Sequence, residues 1–335
     1  MDPLLAQATT SDRNLVVALY ALHLAQGATI LCMSIKSDTI DRYLHAAAKL
    51  STAAHLMDPR LDTYGKKSDH IKKVLREQKR WEDMPNRREP VTTEMLEQMW
   101  EIGKDLDPDS LESALLDWNM LGRYLGFRLS EWAQNEENKK NFPLLAIDGT
   151  PVAFTFHDFQ FLGRGSRRLR QQFPKVLSEN DVDSVAVRWR YQKNLDNGQI
   201  ITQTKNNTNP KFCGVRAAAR IRHRAQRLNS SDTETLAKFK DASGNASYIT
   251  NGMIARHMQL CAKRAYDIRC KKALAKWTAH SIRVGACVSL SEAGKDAPFI
   301  QTRLRWRSLA FRDYLRNTVT LAHQHNDACN KRTHD

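Results

Sequence analysis

His280-Ser-Ile-Arg283, Trp306 and Tyr314 form a C-terminal series of residues able to do chemistry together. An imidazole, a guanidinium, an indole N–H and a phenol suit displacement at an anionic phosphate. A phosphodiester resists attack because it is charged and its leaving oxygen is poor. Breaking it without a metal calls for a nucleophile, cationic donors on the non-bridging oxygens and an acid for the leaving group. Tyr314, eight residues beyond Trp306, offers the nucleophile. His280 offers a base or a phosphate donor, and its three-residue spacing from Arg283 puts both on one helical face. The Trp306 indole can donate to a phosphate oxygen. Phe311 and Leu315 can serve a core, which leaves Tyr314 to face a site. One at a time, these are commonplace residues: a packing tyrosine, a core tryptophan, a capping histidine, a surface arginine. Only the series argues for chemistry.

A second cation lies upstream, in Leu125-Gly-Phe-Arg128-Leu-Ser-Glu131. Arg128 and Arg283 could each bind the scissile phosphate through two parallel N–H groups. Glu131, one helical turn after Arg128, would orient the site by accepting hydrogen bonds.

Helices and a small sheet must hold these residues. From about Asn14 to Lys79 the apolar spacing is helical, with Ser37-Asp-Thr39 placed as a cap. The run His70 to Trp81 carries Lys72, Lys73, Arg76, Lys79 and Arg80, with Ile71, Val74 and Leu75 available for a core. Met84 to Pro90, with two prolines, is an extended linker, and Val91-Thr-Thr-Glu94 restarts helix behind a threonine cap. The boundary falls near residue 88, giving domains 1–88 and 89–335. The second domain opens with helices to about Gln134. Val152–Phe156, Val185–Tyr191 and Gln199–Thr202 have strand composition, and Asp196-Asn-Gly198 is a hairpin signal. Helix resumes at Val215 and runs to the end, apart from a polar loop at 229–247. The fold class is mainly α with a small antiparallel β-sheet.

Taken together, Gly126-Phe-Arg128-Leu-Ser-Glu131, His280-Ser-Ile-Arg283, Arg303-Leu-Arg-Trp306 and Tyr314-Leu-Arg-Asn317 resemble the motifs of the tyrosine recombinase (phage integrase) family. The phrasing is most similar to the crypton-type recombinases of eukaryotic mobile elements. The resemblance covers nearly the whole chain. It implies a helical, SAM-like core-binding domain followed by a catalytic domain that cleaves and rejoins DNA through a 3′-phosphotyrosyl link to Tyr314. It also implies a general-acid lysine on a β-hairpin, for which Lys193 stands in the favoured place and Lys205 is the competitor. A homotetramer on two DNA sites is implied too, with tail residues such as Val319-Thr-Leu321 docking on a neighbour. A DNA-binding descendant without activity and a type IB topoisomerase are the rival expectations.

The balance of the chain agrees with such a partner. At 335 residues it has 41% apolar and 27% charged residues, enough for packed cores. Its net charge of +15 is self-repelling unless a polyanion lies nearby, so double-stranded DNA is the expected partner. Arg164, Arg167, Arg168 and Arg170 crowd a glycine-rich turn. Arg216, Arg220, Arg224 and Arg227 recur on one helical face beside His223. Both groups, and the basic face of Lys72, Lys73, Arg76, Lys79 and Arg80, are expected to contact phosphates, positioning DNA without reading its sequence. The cysteines at 32, 213, 261, 270, 287 and 329 include no C-x-x-C pair, so free thiols are expected and neither a zinc ribbon nor a disulfide framework. His323-Gln-His325 with Cys329 belongs to a C-terminal tail and not to a metal site. No metal and no small-molecule cofactor is expected. The first thirty residues show no signal peptide and no stretch has membrane-spanning length, so no membrane partner is expected. The expected location is the nucleus in a eukaryotic host, and otherwise the cytoplasm or nucleoid.

Overall fold

The computed structural model describes residues 7–27, 34–83, 87–133, 144–163, 181–192, 196–315, 322–323 and 326–327. The chain divides into two compact units, Met1–Pro85 and Asn86–Asp335.

The first unit is built from α1 (Thr10–Ala25), α2 (Ser37–Ala53) and α3 (Asp69–Arg80). Ala18, Ala21 and Leu24 of α1 bury against Ile40 and Leu44 of α2 and Ile71 of α3, with Val74 and Leu75 partly covered. That is the apolar stripe expected of α3, and it turns the basic side outward. Lys73 and Arg76 are exposed. Lys72 pairs with Asp69 at 2.9 Å, Arg80 with Glu77 at 2.8 Å, and Lys79 lies 3.8 Å from Asp38. Such exposed pairs contribute little and open readily to a stronger anion.

In the second unit, α4 (Thr93–Gly103) starts where Thr92 accepts a hydrogen bond from Met95 N–H. The central helix is α5 (Leu111–Leu125), buried on nearly every side and packed against α4, α7 (Gly214–Arg227) and α10 (Ser281–Glu292). Its Trp118 stacks on Trp132 of the short α6 (Leu129–Trp132) at 5.0 Å and meets Phe127 edge-on at 5.9 Å. A three-stranded antiparallel sheet follows, in the order β1 (Phe159–Leu162), β2 (Ser184–Trp189), β3 (Gln199–Thr204). The remaining elements are β4 (Lys238–Lys240), β5 (Ala246–Tyr248), α8 (Asn251–Tyr266), α9 (Lys271–Leu274) and α11 (Ala297–Leu304). A 3₁₀ helix, Leu309–Tyr314, comes last.

Two expectations are corrected here. Val152–Phe156 is not a strand: Phe154 and Phe156 go into the aromatic core, and the strand is the following Phe159–Leu162. Asp158 takes the Thr155 N–H at 2.8 Å, closing a 3₁₀ turn where a ladder would otherwise run. The hairpin signal at Asp196-Asn-Gly198 does lead into an antiparallel partner: the β2–β3 register pairs Trp189 with Gln199, and the signal residues end the nine-residue connection between the strands. The polar stretch at 229–247 contains β4 and the start of β5, joined through Gly244 at φ +83°.

Among the described residues no helix is long and apolar enough to cross a membrane. No cluster of three metal-ligating side chains occurs among them.

Candidate active site

The pocket is assembled where α5 ends. Gly126 caps that helix in the left-handed region (φ +57°), and an added Cβ would stand 3.0 Å from Leu304. Glycine makes this turn without strain and lets α11 approach. The turn sends Phe127 into the core and leaves Arg128 as the N-cap of α6. From there Arg128 donates twice to Glu131: Oε2 accepts the Arg128 backbone N–H at 2.9 Å, and Oε1 accepts Arg128 Nη1 at 3.1 Å.

Glu131 is only 3% exposed and takes two further donors. Trp189 Nε1 of β2 reaches Oε2 at 3.1 Å, and Arg305 Nη2 reaches the same oxygen at 2.8 Å. Arg305 also donates to Leu125 O at 2.9 Å and lies over the Trp189 ring at 3.7 Å. It is nearly buried and caps α11 at φ +58°, a conformation that costs a side-chain-bearing residue about 1 kcal/mol. Arg305 lies inside the Arg303-Leu-Arg-Trp306 motif, yet nothing in its type or spacing marks this role.

Arg283, on the first turn of α10, is 1% exposed. Its Nη1 donates to Gly126 O at 2.5 Å, and its Nη2 lies 3.4 Å from Arg305 O. Trp306 covers its guanidinium at 4.3 Å. Two of its five N–H groups are therefore spent on the protein, fewer remaining for a phosphate than the sequence alone suggests. The Trp306 indole N–H faces the buried Cys287 thiol and has no oxygen or nitrogen acceptor among the described residues.

His280 is the N-cap of α10, and its Nε2 sits 3.0 Å from the Tyr314 hydroxyl. Phe311 on the 3₁₀ helix and Leu315 just after it are buried, and Tyr314 turns toward Trp306, 6.2 Å away between ring centres. Burial holds His280 below the ordinary imidazole range, helped by Arg283, Arg88 and Arg128. Burial holds the Tyr314 phenol above its ordinary value, with Cys287 adding to the rise and Arg283 opposing it. A neutral imidazole therefore faces a protonated phenol. With the ring proton on Nδ1, Nε2 accepts from the hydroxyl and is placed to take its proton.

Two guanidiniums, Arg128 and Arg305, share the Glu131 carboxylate, and a third, Arg283, bonds backbone carbonyls beside them. Burial, then Arg128 and Arg305, push Arg283 down to about 9, and burial pushes Arg305 down to about 10. Cations held at such a cost are relieved by an anion. Arg307 Nε bonds Asp196 at 2.8 Å, tying the segment after Trp306 to the β2–β3 connection.

The structure thus brings Arg128, Glu131, His280, Arg283, Trp306 and Tyr314 together. Lys193 lies outside the described residues, as do Arg164, Arg167, Arg168, Arg170, Val319–Leu321, His325, Cys32 and Cys329. Lys205 follows β3 and donates its backbone N–H to Asp183 O at 2.7 Å.

The arginines of α7 need correction. Arg224 is 2% exposed and donates to Asp117 at 2.6 Å and to Pro108 O at 2.8 Å. Arg220 meets Asp117 at 2.6 Å, and Arg227 meets Asp109 at 2.7 Å. Arg216 is half-buried. What looks like a phosphate-binding face is largely a clasp of α7 on Asp117 in the middle of α5 and on Pro108 and Asp109 just before that helix, and Arg224 is closed to DNA where it stands. Helical spacing shows which arginines share a side but not the carboxylates, about a hundred residues upstream, that take them.

No protein-family model matches the sequence, and no curated relative does. Among solved structures the chain is similar to the Tn1549 transposon integrase in complex with transposon right end DNA, at 12% identity over 97% of this chain and 86% of that one, with a TM-score of 0.49. It is also similar to the XerA recombinase, at 13% identity over 96% and 91%, with a TM-score of 0.39. For the XerH site-specific recombinase bound to its difH substrate the values are 12% over 95% and 96%, with a TM-score of 0.37. These likenesses are extensive but loose; the chemistry is carried by the pocket's side chains.

Proposed function

We propose that this chain is a tyrosine recombinase that cuts and rejoins double-stranded DNA at specific sites, integrating or excising a mobile element. The observation that carries the proposal is the 3.0 Å contact of the Tyr314 hydroxyl with His280 Nε2, beside a pocket of three arginines and one carboxylate. The Tyr314 oxygen attacks phosphorus while its proton passes to His280. The bond from phosphorus to the 5′-oxygen breaks, leaving a 3′-phosphotyrosyl link and a 5′-hydroxyl. That hydroxyl takes its proton from a general acid, Lys193 by resemblance, with Lys205 the alternative. Arg128 and Arg283 neutralise the non-bridging oxygens as charge builds, and Trp306 offers an indole N–H to one of them; each such donor is typically worth about 10²–10³ in rate. The link conserves the energy of the phosphodiester, so reversal rejoins the strand. In this account, four copies act on two DNA sites. The exposed cations Lys73 and Arg76 of α3, with Lys72, Lys79 and Arg80 beside them, contact the backbone.

The test is covalent trapping on nicked duplexes of random sequence with the wild-type chain and Tyr314→Phe. A denaturation-resistant adduct with wild type alone supports the proposal, and sequencing the trapped DNA identifies the site. Salt-sensitive binding by both chains with no adduct points to a DNA-binding protein without activity. Relaxation of any supercoiled plasmid, without transfer between sites, points to a topoisomerase.

A further inference from the structure

We propose that Arg305 is a positioning residue for the phosphate pocket, acting through Glu131 on Arg128 and through its own backbone on Arg283. This deepens, and rests on, the reading of Tyr314 and His280 as a strand-cleaving pair. Arg305 stands at φ +58° and is nearly buried. The turn itself does not call for arginine, since glycine makes it without strain. The side chain must then account for the residue.

Its fork spans two groups at once, Leu125 O at 2.9 Å and Glu131 Oε2 at 2.8 Å, while the guanidinium plane rests on Trp189 at 3.7 Å. A lysine is a point charge without the planar fork, so it cannot reproduce this two-pronged spacing while stacking on Trp189. Leu125 precedes Gly126, whose carbonyl receives Arg283 at 2.5 Å. The other oxygen of Glu131 receives Arg128 at 3.1 Å. The Arg305 carbonyl itself faces Arg283 Nη2 at 3.4 Å, and the next residue, Trp306, covers that guanidinium. One residue therefore braces the supports of both phosphate-facing arginines. Its terminal nitrogens bond the protein, so its part is alignment and not contact with DNA.

The experiment measures single-turnover cleavage of a nicked duplex and DNA affinity for Arg305→Lys and Arg305→Gln, with the thermal transition of each recorded. Arg305→Lys is expected to cleave 10- to 100-fold more slowly with DNA affinity within twofold of wild type. Its loss should also shrink to a fewfold in an Arg128→Lys background, because a misaligned Arg128 cannot be misaligned again. Cleavage by Arg305→Lys within twofold of wild type overturns the proposal, as does a loss that multiplies in full with Arg128→Lys. Should Arg305→Lys fail to fold, Arg305→Gln carries the same comparison. If wild type cleaves nothing, the strand-cleavage reading fails, and thermal stabilisation by inorganic sulfate over chloride at equal ionic strength decides the positioning claim. Sulfate stabilisation of wild type that is mostly lost in Arg305→Lys supports it. Equal stabilisation of the two, or none in wild type, overturns it.

Discussion

Replacing Glu131 by Gln should unfold the second unit more easily than any other single change in the pocket. The carboxylate is 3% exposed and takes four donors: the Arg128 backbone N–H, Arg128 Nη1, Trp189 Nε1 and Arg305 Nη2. An amide keeps the shape but removes the charge, and its NH₂ confronts donors on one side. Arg305, with 1% of its side chain exposed, is left as an uncompensated buried cation. Breaking a buried pair in this way costs about 3–5 kcal/mol. For a unit of this size each kcal/mol moves Tm by about 2–4 °C, so a fall on the order of 10 °C is expected. Thermal unfolding followed by circular dichroism reads it, with urea unfolding as a second probe. Adding Arg305→Met should recover part of the loss, because the stranded cation is gone. A fall of under about 2 °C, or a double variant losing the full sum, would refute Glu131 as the hub.

Three further outcomes follow from particular contacts. Arg224→Met should lower stability by about 3 kcal/mol, leaving Asp117 with one arginine fewer, yet leave the slope of log Kd for DNA against log salt unchanged; a slope shallower by about 0.9 would restore Arg224 as a phosphate contact. Gly285→Ala would place a Cβ 2.3 Å from Val91 O and 2.9 Å from Val91 N, backbone that cannot yield as a side chain does, so a loss of about 1–3 kcal/mol is expected in urea unfolding. Burial pushes His257 down to about 4, whereas the unfolded chain protonates near 6.5. Its contribution is therefore complete above pH 6.5 and is lost as pH falls toward 4, about 3 kcal/mol in all, and His257→Gln should flatten unfolding free energy against pH across that window.

Much of the site could be read from residue type and spacing, because the series is local. His280 and Arg283 share one helical turn, Arg128 and Glu131 share another, and Trp306 and Tyr314 flank one short connection. The α3 core positions Ile71, Val74 and Leu75 follow equally from a 3.6-residue period. What escaped depends on distance along the chain. Arg305 looks like any helix-end arginine until Glu131, 174 residues earlier, is seen beneath it. Arg220 and Arg224 share a face with the periodicity of a DNA-binding helix, yet Asp117 claims both. Val152–Phe156 has strand composition because aromatic residues serve β-sheets and aromatic cores alike, and here Phe154 packs on Phe127 at 5.3 Å. The β4–β5 pair escaped because three-residue strands carry almost no periodicity; Asp241-Ala-Ser-Gly244 was its one turn signal.

The central claim concerns one oxygen atom, and it can be tested on that atom. DNA trapped covalently on the wild-type chain would be trimmed with nuclease, the protein digested with trypsin, and the modified peptide fragmented in a mass spectrometer. A 3′-nucleotide on Tyr314, within the peptide Asp313–Arg316, is the predicted result. An adduct on any other side chain, or one joined through a 5′-phosphate, would contradict it.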